Sequence, residues 1–143
     1  MKILIDTCVI IDALQSREPF RKAAEEIFLS AANRRFTGFV TAKSVTDIYY
    51  LTHRCTHSDS ETRKILSTLL HLFSIADTTA SDCRCALLSG ITDYEDAVMA
   101  ETALREKIEC IVTRNVKDYS KSAVPVLTPD AFLSLLNTEN NPQ

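Results

Sequence analysis

The sequence predicts an α/β fold with a central parallel sheet of four to five strands flanked by helices. Three observations lead there. The chain opens on an unbroken aliphatic run, Ile3-Leu4-Ile5. Such a run reads as a strand buried on both faces, usual in the middle of a parallel sheet. Strand-like and helix-like segments then alternate, and the stretches between strands are too long for hairpins, so successive strands run parallel with helices between them. Finally, 143 residues without an internal repeat suit one domain with a substantial core, expected to span residues 1–137.

The first strand should end at Asp6. A short helix over Val9 to Leu14 follows, and Ser16-Arg17-Glu18-Pro19 opens a longer one, with Pro19 in its first turn. Phe20, Ala24, Ile27, Phe28 and Ala31 recur at helical spacing and give that helix a buried face. Phe36 to Thr41 reads as the second strand, followed by a helix over Ala42 to Arg54 with Val45, Ile48, Tyr49 and Thr52 as its apolar stripe. Ser58-Asp59-Ser60-Glu61 has the form of a capping box; it starts a helix carrying Ile65, Leu66, Leu69, Leu70 and Phe73. Phe73 to Ala76 is a brief third strand. Thr78 to Leu88 is helical, with Gly90 placed as a C-terminal stop. Asp93-Tyr94-Glu95-Asp96 opens the next helix, with Ala97, Val98, Ala100, Ala103 and Leu104 behind it. Glu109 to Thr113 is the fourth strand, Arg114 to Tyr119 a loop, and Val124 to Leu127 a fifth strand. Thr128-Pro129 caps a last helix through Leu136. The polar tail, 138–143, is expected to be disordered.

Composition narrows the class of function. Hydrophobic residues make up 45% and charged residues 24%, as in soluble globular proteins. The net charge of −3 gives no electrostatic footprint for nucleic acid, although acids held around a metal count against that total. The five cysteines, Cys8, Cys55, Cys83, Cys85 and Cys110, fit no disulfide framework. No signal peptide or membrane span is visible, so a cytoplasmic, reduced location is expected. His53-Arg54-Cys55-Thr56-His57 would gather metal ligands only on a strand, and the preceding pattern is helical. With only Gly38 and Gly90 in the chain, there is no glycine-rich phosphate loop.

In a parallel sheet the residues that follow each strand share one edge, and ligands bind outside the carboxyl ends of the strands. Asp6 ends strand one, Asp47 lies in the first turns after strand two, and Asp96 opens the helix that leads to strand four. Asn115 and Asp118 directly follow strand four. Each acid has a simpler explanation alone. Asp6 is a good helix cap, Asp47 an ordinary exposed helix acid, and Asp93 the natural cap of its helix, which leaves Asp96 to be explained. Together they offer four carboxylates to one crevice. Oxygen ligands of this kind suit Mg²⁺ or Mn²⁺, which can activate water and stabilise charge on a phosphate. Lys43, Arg54, Arg114 and Lys117 are candidate phosphate contacts.

At these residues the chain resembles the PIN-domain ribonucleases. The segments that carry the likeness are Ile3-Leu4-Ile5-Asp6-Thr7, the acid Asp47, Glu95-Asp96-Ala97, and Val112-Thr113-Arg114-Asn115-Val116-Lys117-Asp118-Tyr119. The likeness extends to about Leu136 and is greatest to the bacterial, VapC-like type found as toxins in toxin–antitoxin pairs. It implies an α/β/α sandwich and Mg²⁺- or Mn²⁺-dependent cleavage of single-stranded RNA by a metal-activated water. It further implies a homodimer and a small antitoxin partner. Carried over, Asp6, Asp96, Asp118 and Asp47 are the metal-site acids, and Thr113 and Asn115 orient waters or those acids. The chain departs from the pattern at two positions. Asp47 stands where many members have Glu, and Asn115 where many have Asp. Two further readings remain open: a binding module that keeps the fold without catalysis, and an aspartyl-nucleophile phosphatase using Asp6. The latter class wants a second acid two residues on, where this chain has Cys8.

Overall fold

The computed structural model describes residues 1–139. Its elements run β1 (Lys2–Ile5), α1 (Thr7–Leu14), α2 (Arg21–Ala32), β2 (Thr37–Thr41), α3 (Ala42–Thr56), α4 (Asp59–Leu72), β3 (Ser74–Ala76), α5 (Ala80–Leu87), α6 (Tyr94–Arg105), β4 (Cys110–Val112), a 3-10 turn (Val116–Tyr119), β5 (Val126–Leu127) and α7 (Pro129–Glu139). All strand pairs are parallel, in the order β3-β2-β1-β4-β5.

The sheet separates two cores. Ile3 and Ile5 of β1, with Cys110 and Val112 of β4, point into a core shared with α1, α2, α3, α4 and α7. Leu4 and Ile111 point the other way, against α5, α6 and Tyr119. Side chains alternate along a strand, so an unbroken aliphatic run is what a strand between two helical layers requires. The first two crossovers lie on one face and the third on the other. The strand order therefore reverses between β1 and β4, and the crevice opens there.

The elements depart from expectation mainly at their ends. Pro19 lies ahead of α2, and Phe20 is 41% exposed instead of joining the buried face; the Arg114 guanidinium lies 4.1 Å over its ring. Ser44, and not Tyr49, joins Ile48 and Thr52 on the buried side of α3, because the Tyr49 hydroxyl reaches outward to Asp59. Ser58 accepts the Glu61 N–H, but its own N–H goes to Thr56 Oγ1, so the expected capping box is only half formed. The full box lies at Thr79 and Asp82 instead. Leu88, not Gly90, ends α5, and no glycine has a positive φ. Leu104 is half exposed. Thr113 and Glu109 fall outside a three-residue β4, and the loop after it contains the 3-10 turn. Thr138 and Glu139 belong to α7 and not to a disordered tail; 140–143 lie outside the described residues. His53 and Cys55 sit on α3, and His57 is its left-handed cap. They do not form the alternating strand a metal site there would need. All five cysteines are free. No helix among the described residues is long and apolar enough to cross a membrane.

Candidate active site

The β1–β4 register builds the centre of the site. Ile5 pairs with Val112, and the Asp6 N–H donates to the Val112 carbonyl at 3.0 Å. One step beyond the ladder, the side chains of Asp6 and Thr113 meet. Thr113 Oγ1 donates to Asp6 Oδ2 at 2.7 Å, and the Asn115 N–H donates to Thr113 Oγ1 at 3.0 Å. Asn115 thus acts through its backbone, and its side chain makes no hydrogen bond among the described residues. Asp6 Oδ1 accepts the Thr7 N–H at 2.7 Å, and the Asp6 carbonyl accepts the Val9 N–H at 3.0 Å. Asp6 therefore does cap α1, as its residue type allows. Capping uses one carboxylate oxygen and does not explain why a charge is buried.

Helix α6 brings the second acid. Asp93 is its cap, accepting the Asp96 N–H at 3.0 Å, which leaves the Asp96 carboxylate uncommitted to the helix. That carboxylate meets the hydroxyl of Tyr119. The phenol donates to Asp96 Oδ1 at 3.0 Å and lies 3.4 Å from Asp6 Oδ2. Asp118 is exposed, one residue earlier on the 3-10 turn. It lines a 360 Å³ cavity with Asp93, Lys117 and Lys121.

The electrostatics follow from this crowding. Burial pushes the Asp6 carboxyl above its ordinary value, opposed by the hydrogen bonds from Thr113 and Thr7. Asp96 is pushed up to about 6, first by burial and then by the charges of Asp6, Asp93 and Asp118, with the Tyr119 bond opposing. The Tyr119 phenol is raised by burial and by both carboxylates, so it stays neutral.

Two other aspartates are as deeply buried, and they show what is unusual here. Asp12 and Asp82 are 1% and 2% exposed, and each holds an arginine. Arg114 Nε lies 2.6 Å from Asp12 and Arg105 Nε 2.9 Å from Asp82. Among the described residues, Asp6, 8% exposed, has only neutral donors. A buried carboxylate without a cation is costly.

Asp47 stands apart. It is ion-paired with Lys43 at 2.6 Å, and Lys43 also holds Glu95 at 2.6 Å. Asp47 lines a neighbouring 410 Å³ cavity with Thr7, Tyr50, Arg54 and Glu95. The charges that bear on Asp96 are those of Asp6, Asp93 and Asp118. Of the candidate phosphate contacts, Lys43 and Arg114 are held in ion pairs, whereas Arg54 and Lys117 line cavities and have no ion pair among the described residues. Sequence reasoning missed Tyr119 as a polar member of the site and Glu95 as a partner of Lys43. Both lie inside segments that it singled out, but nothing in a sequence shows which acid a neighbouring ring or lysine reaches.

The donors Asp6, Asp96, Asp93 and Asp118 offer oxygen only, which fits a hard divalent cation. Among the described residues, no three His, Cys, Asp or Glu side chains already surround one point. Such a set suits an ion that keeps several waters and takes one or two carboxylates directly, as Mg²⁺ does.

Fold and site together define a three-layer α/β/α protein with a carboxylate-rich switch point. The chain belongs to the PIN domain family, whose model matches residues 2–117. It is similar in structure to a toxin–antitoxin complex from Klebsiella pneumoniae, at 22% identity and a TM-score of 0.63, covering 89% of this chain and 97% of that one. It is also similar to VapBC2 from Rickettsia felis, solved on a fragment of its promoter DNA, at 17% identity and a TM-score of 0.64, covering 90% and 98%. VapC20 from Mycobacterium tuberculosis, a sarcin-ricin loop cleaving toxin, matches at 12% identity and a TM-score of 0.59, covering 76% and 86%. No curated protein matches the sequence.

Proposed function

We propose that the protein is a Mg²⁺- or Mn²⁺-dependent ribonuclease that cleaves single-stranded RNA and acts as the toxin of a toxin–antitoxin pair. The observation that carries this reading is Asp6, a buried carboxylate with no cationic partner among the described residues, at the sheet's switch point and within reach of the hydroxyl that also binds Asp96. Membership of the PIN family and the likeness to toxin–antitoxin structures support it.

A bound divalent ion would supply activation of the attacking water and stabilise charge on the phosphate. The chain's part is to hold and aim the ligands. Asp6 and Asp96 would contact the ion, with Asp118 and Asp93 directly or through water. Thr113 holds Asp6 Oδ2, and the Asn115 N–H holds Thr113. Asp47 contributes from the adjoining cavity, where its pairing with Lys43 leaves it a weaker candidate than Asp6 or Asp96. Arg54 and Lys117, at the cavity rims, are the remaining side chains of the four for RNA phosphates. A homodimer and a small antitoxin complete the reading. Sedimentation at micromolar concentration and co-expression with the neighbouring reading frame test those two, and a monomer that captures nothing counts against them.

The decisive test is cleavage of single-stranded RNA with Mg²⁺ or Mn²⁺, with EDTA, and with Asp6→Asn. Cleavage should stop with EDTA and fall at least about a hundredfold in the variant, whose amide still accepts the Thr7 N–H. Cleavage that survives chelation ends the metal reading. The second reading, a binding module without catalysis, draws on Asp47, whose carboxylate is taken by Lys43 at 2.6 Å. RNA binding without cleavage at any metal concentration would favour it.

A further inference from the structure

Tyr119 carries a hydroxyl where the core needs only a ring. The side chain is 2% exposed and packs in the core beneath α6. Its hydroxyl lies 3.0 Å from Asp96 Oδ1, 3.4 Å from Asp6 Oδ2 and 3.4 Å from Met99 Sδ. A phenol has one proton to donate. The shortest of the three contacts, and a charge-assisted one, goes to Asp96.

The two acids depend on it differently. Asp6 already has Thr113 and the Thr7 N–H. Among the described residues, Tyr119 is the sole hydrogen-bond partner of the Asp96 side chain. Without that bond the carboxylate could turn about χ2, a soft torsion in an aspartate. With it, Oδ1 is held and Oδ2 is left open.

We propose that Tyr119 is a positioning residue whose hydroxyl fixes Asp96 Oδ1 and so presents Oδ2 to a divalent cation. This rests on the reading that Asp96 is a metal ligand. Groups that orient a ligand from behind typically account for ten- to a hundredfold in metal affinity. Tyr119 would thus do for Asp96 what Thr113 does for Asp6.

The test is titration of the full chain with Mn²⁺ alone, followed by electron paramagnetic resonance, for the parent, Tyr119→Phe, Asp96→Asn and the double variant. Tyr119→Phe should unfold cooperatively and weaken Mn²⁺ binding by about tenfold or more. In the Asp96→Asn background the same change should alter binding less than about twofold, because the group it orients has gone. If the phenylalanine variant does not fold, p-methylphenylalanine at 119 fills the hydroxyl's volume without a donor and serves the same comparison. Unchanged or tighter Mn²⁺ binding in the donor-less variant overturns the inference. A parent that binds Mn²⁺ no better than Asp96→Asn ends the metal reading at Asp96 and this inference with it. A parent that outbinds Asp96→Asn, with Tyr119→Phe equal to the parent, ends this inference alone.

Discussion

Asp12 and Arg114 show how burial decides the role of a residue. Arg114 follows β4 at the functional edge, where a basic residue invites assignment to RNA phosphate. Its fork instead holds Asp12 through Nε at 2.6 Å and a second nitrogen at 3.3 Å. Asp12 is 1% exposed, and truncating the partner of a buried charge typically costs about 3–5 kcal/mol. Arg114→Gln should therefore lose about 3 kcal/mol in denaturant unfolding, the low end because Arg114 is itself partly exposed. Lys117→Gln, at an exposed position, should leave stability within about 0.5 kcal/mol. A stable Arg114→Gln that binds RNA poorly would reverse the assignment. At this scale Asp6 and Asp118 drew notice in the sequence because they follow aliphatic strands, and Asp96 because Asp93 already serves as the cap of its helix. The sequence did not expose which of them have partners. Three buried aspartates look alike as letters; only contact separates Asp12 and Asp82, with their arginines, from Asp6, which has none among the described residues.

Between elements, close approach sets the constraints. β2 lies against the C-terminal end of α4, and Gly38 is the point of contact. A Cβ there would come within 2.5 Å of the Phe73 ring, which is itself 1% exposed. Gly38 is thus required for space and not for a positive φ. Gly38→Ala should cost about 1–3 kcal/mol of overpacking, read as a lower melting temperature, since a ring held on all sides has little room to shift. Phe73→Leu in the same chain should recover part of that loss; if the two penalties simply add, the clash is not the cause. Element types were readable because amphipathic periodicity reports which face is buried. Element ends were not, and for local reasons. Ser58 lost its box to Thr56, whose hydroxyl takes the Ser58 N–H, and Phe20 left the α2 face for the Arg114 guanidinium. Each is a choice between near-equal partners that lies outside any periodic pattern.

For the whole molecule, the parallel order β3-β2-β1-β4-β5 collects one acid from β1, one from α6 and one from the turn after β4 at a single edge. Alternation of strands with long crossovers made that edge predictable; the separate placement of Asp47, tied to Lys43, was not. The acidic edge makes stability depend on pH. Asp96 titrates at about 6 in the fold against about 3.8 ordinarily, and Asp6 is shifted the same way. Between those values the folded state keeps a proton that the unfolded chain has lost. Stability from these groups therefore falls as pH rises through the window. Asp82 and Asp59, shifted downward, act oppositely, but only below pH 3.8. A divalent cation competes with that proton and binds only the folded site, so its stabilisation should grow as Asp96 ionises. The measurement is thermal unfolding of the parent and Asp96→Asn at pH 5, 6 and 7, in EDTA and in Mn²⁺. In EDTA the variant should overtake the parent as pH rises. In Mn²⁺ the gain over EDTA should open between pH 5 and 7 in the parent and stay small in the variant. Parallel curves for the two proteins under both conditions would mean that Asp96 neither strains the metal-free fold nor holds the ion, leaving Asp6 and Asp118 to account for the site.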